Sequence, residues 1–188
     1  MTETIKNLII TGSAVCVLDD IRNIGKNIGD TLQQGVPDIP YPADFMAIGL
    51  DAVNKYAWPI LYVATYHPED IPDIRKRREA FGGNADFKII GHDPKHKEGV
   101  DIIINDYWTP SGSSALLGVQ AALRMGYRRI IICGCPLTGK GPNGATYENF
   151  RNGWQHRIKE LEGRVRSMSG WTREFLGSPT EEWLVNGK

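Results

Sequence analysis

Residues 109–139, TPSGSSALLGVQAALRMGYRRIIICGCPLTG, constrain the fold more than any other part of the chain, because they hold one complete helix-then-strand unit with a loop at each end. Pro110 carries a φ already suited to a first helical turn, and Ser111, Gly112, Ser113 and Ser114 follow as a helix start rich in hydroxyls. Leu116, Leu117, Val119, Ala122 and Leu123 then recur at helical spacing, and Met125-Gly126 ends the run with the glycine of a left-handed cap. Ile130, Ile131, Ile132 and Cys133 form an unbroken apolar run, which marks a strand covered on both faces. Gly134-Cys135-Pro136 stops that strand where a parallel sheet opens onto a ligand crevice.

A helix start and a strand end of this kind can share one site. The first backbone N–H groups of a helix have no intrahelical partners and carry roughly half a positive charge, so a phosphate or carboxylate is a natural guest there. Ser111 and Ser113 have two readings, as extra donors to such an anion or as ordinary caps, with Gly112 easing the turn. Gly134 favours the first reading, because a strand end without a side chain lets backbone approach a ligand closely.

The rest of the chain repeats the alternation. Strands are expected at 7–11 (NLIIT), 45–49 (FMAIG), 60–65 (ILYVAT), 87–91 (FKIIG), 101–104 (DIII), 130–133 and 163–168 (GRVRSM), and, besides the helix that starts in 111–114 and ends at 125–126, helices at 19–32, 71–81, 147–161 and 171–176. A proline-rich surface connection fills 35–42. Strands alternating with helices predict an α/β fold, a single doubly wound, mostly parallel sheet flanked by helices. At 188 residues the chain suits one domain, with a C-terminal helical extension from about residue 145.

The carboxyl edge of that sheet gathers the candidate site. Gly12-Ser13 closes the first strand, although neither a dinucleotide fingerprint nor a P-loop is present. Asp51 follows the second strand, where it can meet ribose hydroxyls or simply start a helix. Beyond the third strand come His67, Glu69 and Asp70. The two carboxylates suit the negative first turn of the next helix, whereas a cap does not call for the imidazole of His67. His92 and His96 sit among lysines in a loop that reads as surface and not as a metal site.

Charge and cysteines exclude several classes. The 22 basic and 22 acidic side chains cancel, and no basic block is long enough for a nucleic-acid surface. The densest cluster, Arg75-Lys76-Arg77-Arg78, reads as a solvated helix face. Cys16, Cys133 and Cys135 are too few for a disulfide framework or zinc site and read as small core residues. Without an apolar run of spanning length or a signal-peptide layout, the expectation is a soluble, cytoplasmic protein with no membrane span.

The blocks TGS after the first strand, DFMAIGLD, YVATYHPE and SGSSALLGVQAALRMGYRRIIICGCPL together resemble the Rossmann-like nucleotide-binding core of bacterial sialyltransferases and 6-hydroxymethylpterin diphosphokinase-like proteins. The likeness runs from about Asn7 to Leu137, and its last block is the most specific. It implies a cytidine nucleotide or related diphosphate held by Gly12, Ser13, Asp51, Ser111, Gly112, Ser113 and Gly134. The chain departs from the family in having Gly12-Ser13-Ala14-Val15 at the first turn, where asparagine or Gly-Pro-Ser is common, and Asp51 where asparagine is common. The resemblance also points to His156 as a general base, against its reading as a helix-surface residue.

Three functions follow. A transferase would hold a nucleotide-activated donor such as a nucleotide-sugar, with His67 or His156 accepting a proton; lacking a D-x-D pair, it would work without a metal or other cofactor. A nucleotide-binding or sequestering module would use the same cleft without chemistry. An interaction protein would keep only the fold, with Trp154, Trp171 and Trp183 forming the surface of a homo-oligomer.

Overall fold

Strand β1 (Asn7–Thr11) is buried along its whole length because it pairs on both sides, with β2 (Ala43–Ile48) and with β6 (Arg129–Cys133). Around this centre, the computed structural model describes residues 6–26, 43–92, 98–105, 111–141 and 146–186. The connection at 35–42, the end of the helix expected at 19–32, His96 and Pro110 lie outside the described residues.

Among the described residues the sheet has seven parallel strands. On one side of β1 lie β2, β3 (Tyr62–Ala64), β4 (Lys88–Gly91) and β5 (Ile102–Ile103); on the other lie β6 and β7 (Val165–Ser167). The chain steps outward from β1 to β5, then returns through helix α3 (Ser114–Arg124) to the far side of β1. That reversal puts the switch point between β1 and β6, where the loops leaving neighbouring strands diverge and open a crevice.

Alternation along the strands feeds two cores. Leu8, Ile10, Met46, Ile130 and Ile132 face α3, α4 (Glu148–Gln155), α5 (Ile158–Leu161) and α6 (Gly170–Leu176). Ile9, Phe45, Val63, Ile89 and Ile131 face α1 (Val17–Lys26), α2 (Ile71–Ala80) and α7 (Glu181–Asn186). A strand with both faces covered has no polar side, which is why the middles of β1 and β6 are unbroken Leu and Ile.

Three expectations are corrected. The helix expected over 147–161 is two, because Arg157 leaves the helical region at φ −113 and ψ 10. Arg78 does not belong to a solvated face: it is fully buried and donates to the carbonyls of Val53, Tyr56, Ala57, Trp58 and Asn84 at 2.5 to 3.3 Å. One guanidinium thereby organises the turn after β2, where Tyr56 stacks on Trp58 with centroids 4.2 Å apart. Trp154 and Trp183 form no outer surface either, since each is buried in one of the two cores. Trp171 is half-buried and stacks on Phe175.

Candidate functional site

The loops leaving β1 and β6 are bonded to each other. Gly12 N–H donates to Cys133 O at 2.8 Å, and Ala14 N–H to Gly134 O at 3.2 Å. A Cβ on Gly12 would lie 2.3 Å from Gly134 O and 2.4 Å from Cys135 Sγ, so only glycine permits this approach. Gly134 has φ 66, a left-handed conformation that disfavours side chains.

Side chains hold the β6 loop from three directions. The buried carboxylate of Asp20, on α1, accepts from Gly134 N–H at 2.7 Å and from the Ser169 hydroxyl at 2.7 Å. The Thr172 hydroxyl donates to Cys135 O at 2.8 Å. Arg151 donates through Nε and Nη2 to Leu137 O, at 2.9 and 2.5 Å. Leu137 adopts φ 47 without being glycine, a strained conformation of the kind found where surroundings over-determine the backbone.

Between these loops and the start of α3 lies a cleft of about 300 Å³. Gly12, Ser13 and Gly134 contribute to its lining from the β1 and β6 loops, Gly112, Ser113 and Ser114 from the start of α3, and Leu137, Tyr147 and Phe150 add apolar and aromatic surface; Ile48 and His67 are among the other lining residues. The serines share one pattern. Ser113 Oγ caps α3 by accepting from Leu116 N–H at 3.3 Å, Ser114 Oγ accepts from Tyr66 N–H at 3.2 Å, and Ser111 Oγ accepts from Ser113 N–H at 3.3 Å. A hydroxyl that accepts internally still has one proton to donate, which suits it to an anionic guest.

Of the residues singled out from sequence, the structure brings Gly12, Ser13, Gly112, Ser113, Gly134 and His67 into the lining. Ser111 stands just behind it, against Gly153. Asp51 lies apart, its exposed carboxylate paired with Arg77 at 2.6 Å. His156 also lies apart: it is exposed at the end of α4 and donates from Nδ1 to Asn152 O at 2.7 Å. Sequence reasoning missed Asp20, Arg151 and the Tyr147–Phe150 pair. Two aromatics three residues apart at a helix start were the available signal for that pair.

The thiols at this edge stay protonated near neutrality. Burial pushes Cys135 up to about 12, and it raises Cys16 and, much further, Cys133. None offers a thiolate nucleophile. Among the described residues no cluster of three or more His, Cys, Asp or Glu could hold a metal ion, and no helix is long and apolar enough to cross a membrane. No family model, curated protein or solved structure matches the chain.

Proposed function

We propose that the cleft binds a nucleotide, with its phosphates against the Gly12–Ser13, Gly112–Ser114 and Gly134 segments and its base against Tyr147 and Phe150, and that the protein is a metal-independent transferase using a nucleotide-activated donor. The observation that carries this reading is the convergence of three glycine-bearing segments, one of them the start of an 11-residue helix, beside an aromatic wall at the switch point. Backbone N–H groups and hydroxyl protons there favour phosphate oxygens, and aromatic faces favour a base. The resemblance to bacterial sialyltransferases and diphosphokinase-like proteins makes cytidine nucleotides the first ligands to test. Because His67 lines the cleft and His156 stands outside it, His67 is the base in this proposal.

A second reading, a binding module without chemistry, is favoured by size. A volume of about 300 Å³ is at the small end for ligand sites and accommodates little beyond the nucleotide itself. Thermal melting with cytidine, uridine, adenosine and guanosine phosphates tests the common element, because a ligand that binds only the native state raises its stability. A clear rise with at least one nucleotide is expected. No rise at millimolar concentrations removes both readings, whereas binding without consumption of any donor leaves the module.

A further inference from the structure

We propose that His67 and Glu69 form an imidazole–carboxylate dyad in which Glu69 is a positioning residue: it holds Nδ1–H of His67 and presents Nε2 to the cleft as the proton-accepting atom. The inference rests on the transferase reading for its chemistry, but its geometry stands alone. His67 lines the cleft, and its Nδ1 is 3.0 Å from Glu69 Oε1. A carboxylate can only accept, so the ring proton belongs on Nδ1 and the lone pair on Nε2.

The backbone under His67 is fixed. Its N–H donates to the Thr65 hydroxyl at 2.9 Å, Pro68 follows it, and the adjacent Tyr66 N–H is tied to Ser114 at the start of α3. The backbone that carries the ring is therefore tied to the same helix start that lines the proposed phosphate end. Among the described lining residues His67 carries the one imidazole, and the thiol of Cys135 is held protonated by burial.

The His67–Glu69 contact by itself adds little to stability. The two side chains are 63 and 69% exposed, and exposed pairs of this kind contribute almost nothing to folding. What the pair supplies is a tautomer and a direction, the role a carboxylate takes behind a catalytic imidazole. In the proposed reaction the acceptor hydroxyl gives its proton to Nε2 while its oxygen bonds to the transferred group. The donor's bond to the nucleotide phosphate oxygen breaks, and its electron pair leaves on that phosphate.

The test is nitrogen-15 NMR of the imidazoles at pH 8, with and without cytidine monophosphate, on the unmodified protein and on Glu69→Ala. In the unmodified protein His67 should be the Nδ1–H tautomer. In Glu69→Ala it should redistribute toward Nε2–H, with the His156 resonances unchanged. Nucleotide at a concentration that raises the melting temperature should move the Nε2 resonance of His67 and leave that of His156 in place. On a consumed donor, Glu69→Ala should lower kcat at least tenfold with KM within about twofold.

An Nε2–H His67 in the unmodified protein overturns the dyad, as does a bound nucleotide that leaves its Nε2 resonance still. If no nucleotide raises the melting temperature, the nucleotide reading fails by itself and the tautomer in the free protein decides the dyad.

Discussion

Single residues set both the approach of the loops at the cleft and the order of the turn after β2. At Gly12 an added Cβ would strike the Gly134 carbonyl and the Cys135 sulfur within 2.4 Å, and backbone cannot yield as a flexible side chain does. Gly12→Ala should therefore push the β1 and β6 loops apart, lowering stability by about 1 to 3 kcal/mol and abolishing any nucleotide-dependent rise in melting temperature. Urea unfolding with and without ligand checks this; unchanged stability and ligand response would show that the approach of the two loops is incidental. Arg78 is the second case, because no other side chain could reach the five carbonyls it serves. Arg78→Met keeps much of the volume but leaves those buried acceptors unpaired, so the loss should be about 3 to 5 kcal/mol in urea unfolding. A loss below 1 kcal/mol would mean that water replaces the guanidinium. Nothing in the run Arg75-Lys76-Arg77-Arg78 distinguished the fully buried arginine from its more exposed neighbours, since burial of a charge depends on acceptors supplied from elsewhere in the fold.

At the scale of elements, α3 joins the fold to the candidate site, and its first residue of interest does two jobs. Ser113 accepts from Leu116 N–H as a cap and lines the cleft with a hydroxyl proton to donate. Ser113→Ala should lower stability by about 0.5 to 2 kcal/mol, the cost of a lost cap, and also weaken nucleotide binding about tenfold. Calorimetric titration separates the two effects, and an unchanged dissociation constant would reduce Ser113 to a cap. Elements of this kind were legible in the sequence where burial is complete: β1 matches its apolar run residue for residue, and β6 adds only Arg129. Strand ends were less legible because side chains compete for their backbone. Ile60 lies before β3 because Asn84 takes both its N–H and its carbonyl, each at 3.2 Å, and Asp101 lies before β5 with its carboxylate bonded to Ile89 N–H at 2.7 Å. The break between α4 and α5 left no trace in periodicity, since Trp154, Ile158 and Leu161 keep helical spacing across it. The site was legible as loops at strand ends, whereas Asp20 and Arg151 act through long-range contacts that spacing cannot reveal.

Across the whole molecule, the order of the strands explains why the cleft is where it is and why the chain's last helix matters. The reversal between β1 and β6 opens the carboxyl edge, but it also leaves the α1–α2 face of the sheet to be covered by an element from far along the chain. Helix α7 supplies it: Trp183 and Leu184 enter that core, Trp183 Nε1 donates to Gly163 O at 2.8 Å, and Arg129 donates to the Leu184 carbonyl. A tryptophan held this way belongs to the packing of one chain, so its removal should cost stability and leave association alone. Trp183→Ala is expected to lose about 3 to 5 kcal/mol, from the cavity and the unpaired Gly163 carbonyl together. In light scattering the variant should keep the molar mass of the unmodified protein under conditions where both are folded. A change in molar mass with little loss of stability would instead place Trp183 at an interface between copies, and the burial of α7 against its own sheet would then be the wrong account of this end of the chain.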